Sequence, residues 1–184
     1  GHRVPGIVRG PGKIPAGTES SEVVTAMDLY PTLARWCGAE LPDDRTIDGR
    51  DVAQVLHSPT DSESPHDAFF YYRGPNLEAV RVGRWKLHVY KGVGYSNEGS
   101  PVDELYDLVA DVSETTDLYA QFPEVVAELS AHVERARAEL GDAATGRVGS
   151  GRRPIGRVAE PEFLTTFDPD HPYYMAEYDL ADRG

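Results

Sequence analysis

The side chains with which this sequence could do covalent or metal chemistry are few: one cysteine, six histidines and several close acid pairs. Cys37 has no basic or imidazole neighbour in the run Trp36-Cys37-Gly38-Ala39-Glu40-Leu41 at the end of a helical pattern. A thiol becomes a nucleophile where a cation or a helix start favours the thiolate, so Cys37 reads as a small core residue. The histidines, at positions 2, 57, 66, 88, 132 and 171, never fall four apart on one helical face, and with a single thiol they make no zinc pattern. His88 alternates with the apolar set of its segment, which predicts a half-exposed ring, and His132 falls on the polar face of the last helical pattern. Asp43-Asp44 and Asp48-Gly49 read as turns, because neither supplies the roughly six oxygens that calcium takes. Gly92-Val93-Gly94 and the glycines from Gly146 to Gly151 open no helix and so match no phosphate cradle. A self-contained active site is not legible.

The elements that would position these residues come in two styles. Val4-Pro5-Gly6-Ile7-Val8 is a short strand pattern closed by Gly10-Pro11-Gly12. Asp28 is a helix cap ahead of Leu29 to Trp36, with Pro31 in the first turn, where its missing N–H goes unneeded, and Gly38 as the stop. Leu29, Leu33 and Trp36 form one apolar stripe, expected to pack on a sheet. The wholly non-apolar run Ser58 to Pro65 marks a surface linker.

Beyond it the period changes to two. Ala68 to Tyr72, Glu78 to Val82, Arg84 to Tyr90 and Glu104 to Leu108 are four strand patterns, with Gly83 in a turn and a Gly/Ser/Asn loop over 92–101. Four neighbouring strands predict an antiparallel sheet. Trp85, Leu87 and Val89 share one face of the third. Pro123 opens a helix whose positions Val126, Leu129, Val133, Ala136 and Leu140 step by three and four until Gly141, and this helix should cover one sheet face. From Asp142 the chain turns polar and loop-rich, yet its last third carries two Phe and three Tyr, which predicts a tail that wraps a larger body.

Composition narrows the partners. With 18 Lys and Arg against 31 Asp and Glu the net charge is −13, which repels nucleic-acid phosphates and anionic lipid. Eleven acids against Arg135 and Arg137 put −9 of this between Glu98 and Leu140. No apolar run approaches the ~20 residues that span a bilayer, so no membrane span is expected. One cysteine leaves the compartment open, with the periplasm or the cell exterior compatible and any signal lying upstream.

Taken in order, these motifs resemble the C-terminal part of the sulfatases, of the alkaline-phosphatase-like superfamily. Gly1-His2-Arg3-Val4-Pro5 through Gly10-Pro11-Gly12 is similar to the family's Gly-x-Arg-Val-Pro strand and Pro-Gly turn. Asp28-Leu29-Tyr30-Pro31-Thr32-Leu33 resembles its Asp-Leu-x-Pro-Thr-Leu helix, and Asp48-Gly49-Arg50-Asp51-Val52 its Asp-Gly-x-Asp-Leu step. Ala79-Val80-Arg81 with Gly83 and Trp85-Lys86-Leu87 is similar to its late hairpin. Leu105-Tyr106-Asp107-Leu108, followed by Asp111, Glu114 and Leu118, resembles its Leu-Tyr-Asp-Leu strand and following turn, with Val112 in place of Pro and Asp117 in place of Asn.

The resemblance implies an α/β fold: the end of an alkaline-phosphatase-like domain over 1–58, a linker over 59–65, an antiparallel sheet plus helix over 66–141 and a tail over 142–184. It implies hydrolysis of sulfate esters, on a small molecule or a carbohydrate, by a formylglycine made in a Cys/Ser-x-Pro/Ala-x-Arg motif, with Ca2+ held by acidic groups. Cys37 fails that motif, since Leu41 stands where Arg is required. The expectation is therefore that this chain holds neither catalytic residue nor metal ligand, that both lie in a missing N-terminal part of its own chain, and that it is inactive alone. His2 and Arg3 are the substrate-pocket candidates, His2 facing the pocket and Arg3 a structural ion-pair partner. Two other readings remain open: a phosphate or phosphonate ester hydrolase of the same superfamily, and a non-catalytic interaction module with contact surface at Phe69 to Tyr72 and the tail tyrosines. A fragment, unlike a module, should expose the Val4 to Val8 strand edge and the Leu29 stripe.

Overall fold

The computed structural model describes residues 3–94, 96, 98–154, 157 and 159. The chain divides into two units, Gly1–Arg152 and Arg153–Gly184, and every element below lies in the first. The tail aromatics from Phe163 to Tyr178, and with them the expectation of a wrapping tail, lie outside the described residues.

Four strands form the antiparallel sheet that the period-two patterns predict: β1 (Phe69–Arg73), β2 (Asn76–Val82), β3 (Trp85–Gly92) and β4 (Gly99–Asp107), in sequence order across the sheet. Gly83 joins β2 to β3 at φ 53°, a left-handed conformation open to glycine at no steric cost. The 92–101 loop is shorter than expected, because the β3–β4 ladder continues to the pair Gly92 and Gly99.

Val80, Leu87 and Leu105 lie opposite one another on β2, β3 and β4 and so share a face. Against that face packs α3 (Pro123–Glu139) with Leu129, Val133 and Ala136, all buried. Each fully buried leucine of this set contributes about 2 kcal/mol of apolar transfer. Trp85 and Val89 extend the core on the predicted side, and Trp85 meets Phe122 at 5.0 Å between ring centroids. Leu140 departs from expectation: the helix ends at Glu139, and Leu140 turns outward. A two-residue ladder follows where loop was expected, β5 (Gly141–Asp142) against β6 (Arg147–Val148). Its Asp142 is buried and accepts from Leu77 N at 3.2 Å and Arg137 Nε at 3.0 Å, which fastens the ladder to β2 and α3.

The N-terminal stretch corrects several expectations. Val4 to Val8 is not a strand, since a strand exists only by pairing and no strand among the described residues pairs with it. Helix α1 (Leu29–Trp36) forms as predicted but buries Pro31 and Thr32, while Leu29 and Leu33 stay about half exposed, at 49% and 50%. Cys37 is exposed rather than in a core, because it stands four residues beyond Leu33 and shares that outward stripe.

Asp28 does not cap α1. It is wholly buried, and its carboxylate accepts from Thr25 N at 2.6 Å and from Arg50 N at 2.7 Å. Val52 N donates to Thr32 Oγ1 at 3.0 Å. The Asp-Leu-Tyr-Pro-Thr and Asp-Gly-Arg-Asp-Val motifs therefore act as one unit: the polar side chains of the first hold the backbone of the second. Gly49 belongs to the same joint, since a Cβ there would sit 2.0 Å from the Met27 carbonyl oxygen. Helix α2 (Ala53–His57) follows, and Trp36 stacks on His57 at 5.5 Å. The predicted linker is stitched down too, with Ser64 N donating to Glu22 Oε2 at 2.8 Å and Ser64 Oγ to Val23 O at 2.6 Å.

Candidate functional site

The period of two that sends Val80, Leu87 and Leu105 toward α3 sends their neighbours to the opposite face. Arg81, Lys86 and Tyr106 are cross-strand partners there, and His88 lies two residues along from Lys86. The helix-free face of the sheet is thus a field of charged and phenolic side chains. The turn after β4 folds over its edge: Leu118 N donates to Leu105 O at 2.8 Å, and Asp117 Oδ1 accepts from Leu105 N at 3.0 Å and Tyr119 N at 2.9 Å. Asp107 ties the start of the turn to the β2–β3 connection, accepting from Val109 N at 3.1 Å and from Arg84 through paired hydrogen bonds. Glu114 is carried inward by this turn at φ 55°, a left-handed conformation that few side chains adopt.

Glu114 bridges two strand residues, accepting from Lys86 Nζ at 2.7 Å on one oxygen and lying 2.8 Å from His88 Nε2 on the other. Lys86 also stands over the Tyr71 ring at 4.4 Å from its centroid. Burial alone would push the Glu114 carboxyl up, but the ammonium of Lys86 and the His88 ring outweigh it and hold it below its ordinary range. For His88 burial dominates, with the Lys86 charge behind it, and the imidazole is pushed down. The ring is 12% exposed, more buried than half, and its Nδ1 has no hydrogen-bond partner among the described residues.

Beside this cluster lies a cavity of about 210 Å3 lined by Arg3, Tyr71, Arg81, Lys86, Leu108, Val112 and Glu114. Arg3, singled out by sequence, is thereby placed with residues of β1, β2, β3 and the post-β4 turn. Neither Arg3 nor Arg81 has an ion-pair partner among the described residues. Three cations against the one carboxylate leave the lining at +2, in a chain of net −13. Burial pushes the Tyr71 phenol up against the opposing charge and hydrogen bond of Arg81, so it stands protonated at neutral pH with a proton to donate. His2 lies outside the described residues.

A larger cavity, of about 550 Å3, opens between the β1–β2 turn and the β5–β6 ladder. Its principal polar groups are spoken for: Tyr72 Oη donates to Gly141 O at 2.8 Å, Asp142 is held by Arg137, and Arg147 pairs with Glu134 at 2.8 Å.

The described acids do not fit a calcium ion. Asp28 gives its oxygens to two backbone N–H groups and His66, Asp44 pairs with Arg45 at 2.7 Å, and no three His, Cys, Asp or Glu of the described residues converge on one point.

Residues 64–154, which contain the whole sheet, α3 and the β5–β6 ladder, match the family described as the C-terminal region of aryl-sulfatase. An arylsulfatase from Hemicentrotus pulcherrimus is 50% identical over 88 residues, 48% of this chain and 15% of that protein. Residues 64–154 belong to the sulfatase family. Arylsulfatase D from Homo sapiens extends the likeness, at 31% identity over 76% of this chain and 28% of its own length. The chain thus spans well under a third of these sulfatases. Among solved structures, a protein in complex with its substrate D-glucosamine-2-N,6-O-disulfate superimposes with a TM-score of 0.53 and 26% identity, over 71% of this chain and 27% of that one. A sulfatase from Pseudoalteromonas sp. shares the fold at a TM-score of 0.55 and 21% identity, over 68% and 28%.

In this family setting the charged face has a simple sequence origin. Lys86, Asp107, Glu114 and Asp117 all belong to the motifs quoted from sequence. Their convergence on one turn was not legible, because twelve or more residues separate the bonded pairs and only the β3–β4 register closes the distance.

Proposed function

We propose that this chain is the C-terminal part of a sulfatase, a hydrolase of sulfate esters on a small molecule or carbohydrate, and that it is inactive alone. The observation that carries this reading is an apolar surface with nothing of the described chain upon it. Ile7 is 96% exposed, Val4 73%, and Met27, Leu29, Tyr30 and Leu33 about half, all ahead of the region that matches the sulfatase C-terminus. Large apolar side chains left this open to water support an interface there. In this reading residues 1–58 pack into an alkaline-phosphatase-like catalytic domain, 59–65 connect, 66–141 form the C-terminal subdomain and 142–184 are a loop-rich tail that wraps the body. On the same reading the formylglycine and the Ca2+ ligands belong to segments outside this chain. The residues here then orient and support, with Arg3 at the rim of the cationic cavity and His2 beside it in sequence.

Sequencing the coding region ahead of Gly1 tests the proposal. An in-frame Cys/Ser-x-Pro/Ala-x-Arg motif is expected, with aryl sulfate hydrolysis by the joined protein and none by residues 1–184. An intact reading frame without the motif, or turnover by residues 1–184 alone, overturns it.

A further inference from the structure

The cavity on the helix-free face has a composition that nothing in the catalytic reading requires. A structural ion-pair network balances its charges, as Arg84 with Asp107 and Arg137 with Asp142 do elsewhere in the fold. Here Arg3 and Arg81 bring two further guanidinium groups to a pocket whose one carboxylate, Glu114, is already shared between Lys86 and His88. Uncompensated cations at a partly enclosed site repel one another unless an anion joins them. Guanidinium groups offer paired N–H donors that match the oxygens of a sulfate or phosphate, and the Tyr71 hydroxyl adds a donor of the same kind. At about 210 Å3 the space is below the roughly 300–1,000 Å3 of sites that enclose drug-sized ligands, so it suits a single anionic group and not a whole molecule. Leu108 and Val112 give it one apolar wall, against which the carbon skeleton bearing that group can lie.

We propose that this cavity is a sulfate-group site, held by Arg3, Arg81 and Lys86 with Tyr71 as a further donor. The proposal rests on the sulfatase reading for the identity of the anion, and on the lining alone for the existence of the site. The group arrives either on an ester, as a second sulfate of the substrate held away from the bond being cut, or as released inorganic sulfate.

Titration of the 184-residue chain with sodium sulfate, followed by the NMR signals of Tyr71 and Lys86, tests it against sodium chloride at matched ionic strength. Saturable shifts with sulfate and none with chloride are expected, and Arg81→Gln should weaken the affinity by about tenfold or more. Arg3→Gln, at an exposed position, should do the same without touching the sheet, and Arg81→Lys should retain most of the binding. A linear, chloride-like response, or affinities unchanged in both Gln variants, overturns the site. Glucose 6-sulfate and glucose separate the sources: binding of the ester but not the free sugar assigns a substrate group, and binding of inorganic sulfate alone assigns the product. Failure here leaves the match of residues 64–154 untouched, whereas loss of the upstream nucleophile motif would remove the ester but leave an anion site that Arg81→Gln abolishes.

Discussion

His66 Nε2 lies 2.9 Å from both carboxylate oxygens of Asp28, thirty-eight residues earlier, and this pair joins the N-terminal segment to the start of the sheet. The ring is 11% exposed and the carboxylate not at all. With the Thr25 and Arg50 amides, Asp28 fixes three separate stretches of chain to one point.

Removing that carboxylate should therefore unfold the joint, not merely weaken a helix start. Asp28→Ala leaves two part-buried amides and an imidazole without an acceptor and is expected to cost about 3–5 kcal/mol, while Asp28→Asn, which keeps one acceptor, should cost about 1–3 kcal/mol. Urea denaturation of the purified variants measures both. Equal and small losses would show that the hub carries no load.

The same group makes stability depend on acid. Burial pushes the Asp28 carboxyl up, but the Arg50 and Thr25 amides and His66 outweigh it, and the acid stays below its ordinary 3.8. Its folded value is depressed, so its contribution is complete above the unfolded value and is lost as pH falls through the folded one. Between about pH 5 and about pH 2 the urea midpoint should fall more steeply in the native chain than in Asp28→Asn. Parallel slopes would refute this.

Glu114 opposes the downward push on the His88 imidazole. With burial and Lys86 already holding the imidazole below 6.5, Glu114→Gln removes the opposing carboxylate and should lower its titration midpoint further. A depressed histidine costs stability as pH falls below its unfolded value, so the variant should lose more stability than the native chain below about pH 6. The His88 ring proton, followed by NMR against pH, reports the midpoint directly; an upward move would contradict the arrangement.

Close approach at Gly49 leaves no space for a side chain. Gly49→Ala places a methyl 2.0 Å from the Met27 carbonyl oxygen and must part the two motifs, at an expected 1–3 kcal/mol or more, about the range of an overpacked core. A thermal melt unchanged from the native chain would show that the loop yields freely.

The outward stripe behaves in the opposite way. Leu29→Ser with Leu33→Ser should change stability by less than about 0.5 kcal/mol per site, because each side chain is already half in water, while reducing self-association of the chain. Light scattering at rising concentration measures the second effect. A large loss of stability with no gain in solubility would mean that the stripe is packed within the chain.

What the sequence discloses here follows the range of the interaction. The alternation of Trp85, Leu87 and Val89 and the three-four spacing of Leu129, Val133 and Ala136 are local, and both were legible with their buried faces correctly assigned. Asp28 was misread as a cap of α1 because Arg50 and His66, two of its partners, lie far along the chain and leave no local signal. Val4 to Val8 has the composition of a strand, but composition supplies no partner to pair with. Cys37 followed the Leu29 stripe outward for the same reason. Of the candidate site, Arg3 was named from sequence and Arg81, Lys86 and Glu114 were quoted only as parts of motifs, since their grouping depends on strand register.

Each strand of the sheet hydrogen-bonds only to its neighbours in sequence, and α3 follows β4 directly enough to close over the face they make. Contacts that local form quickly, because little chain entropy is lost before they are rewarded. The stretch from Phe69 to Glu139 thus contains its own folding instructions. A ribosome that has released α3 has released every strand of the meander and the helix that covers it.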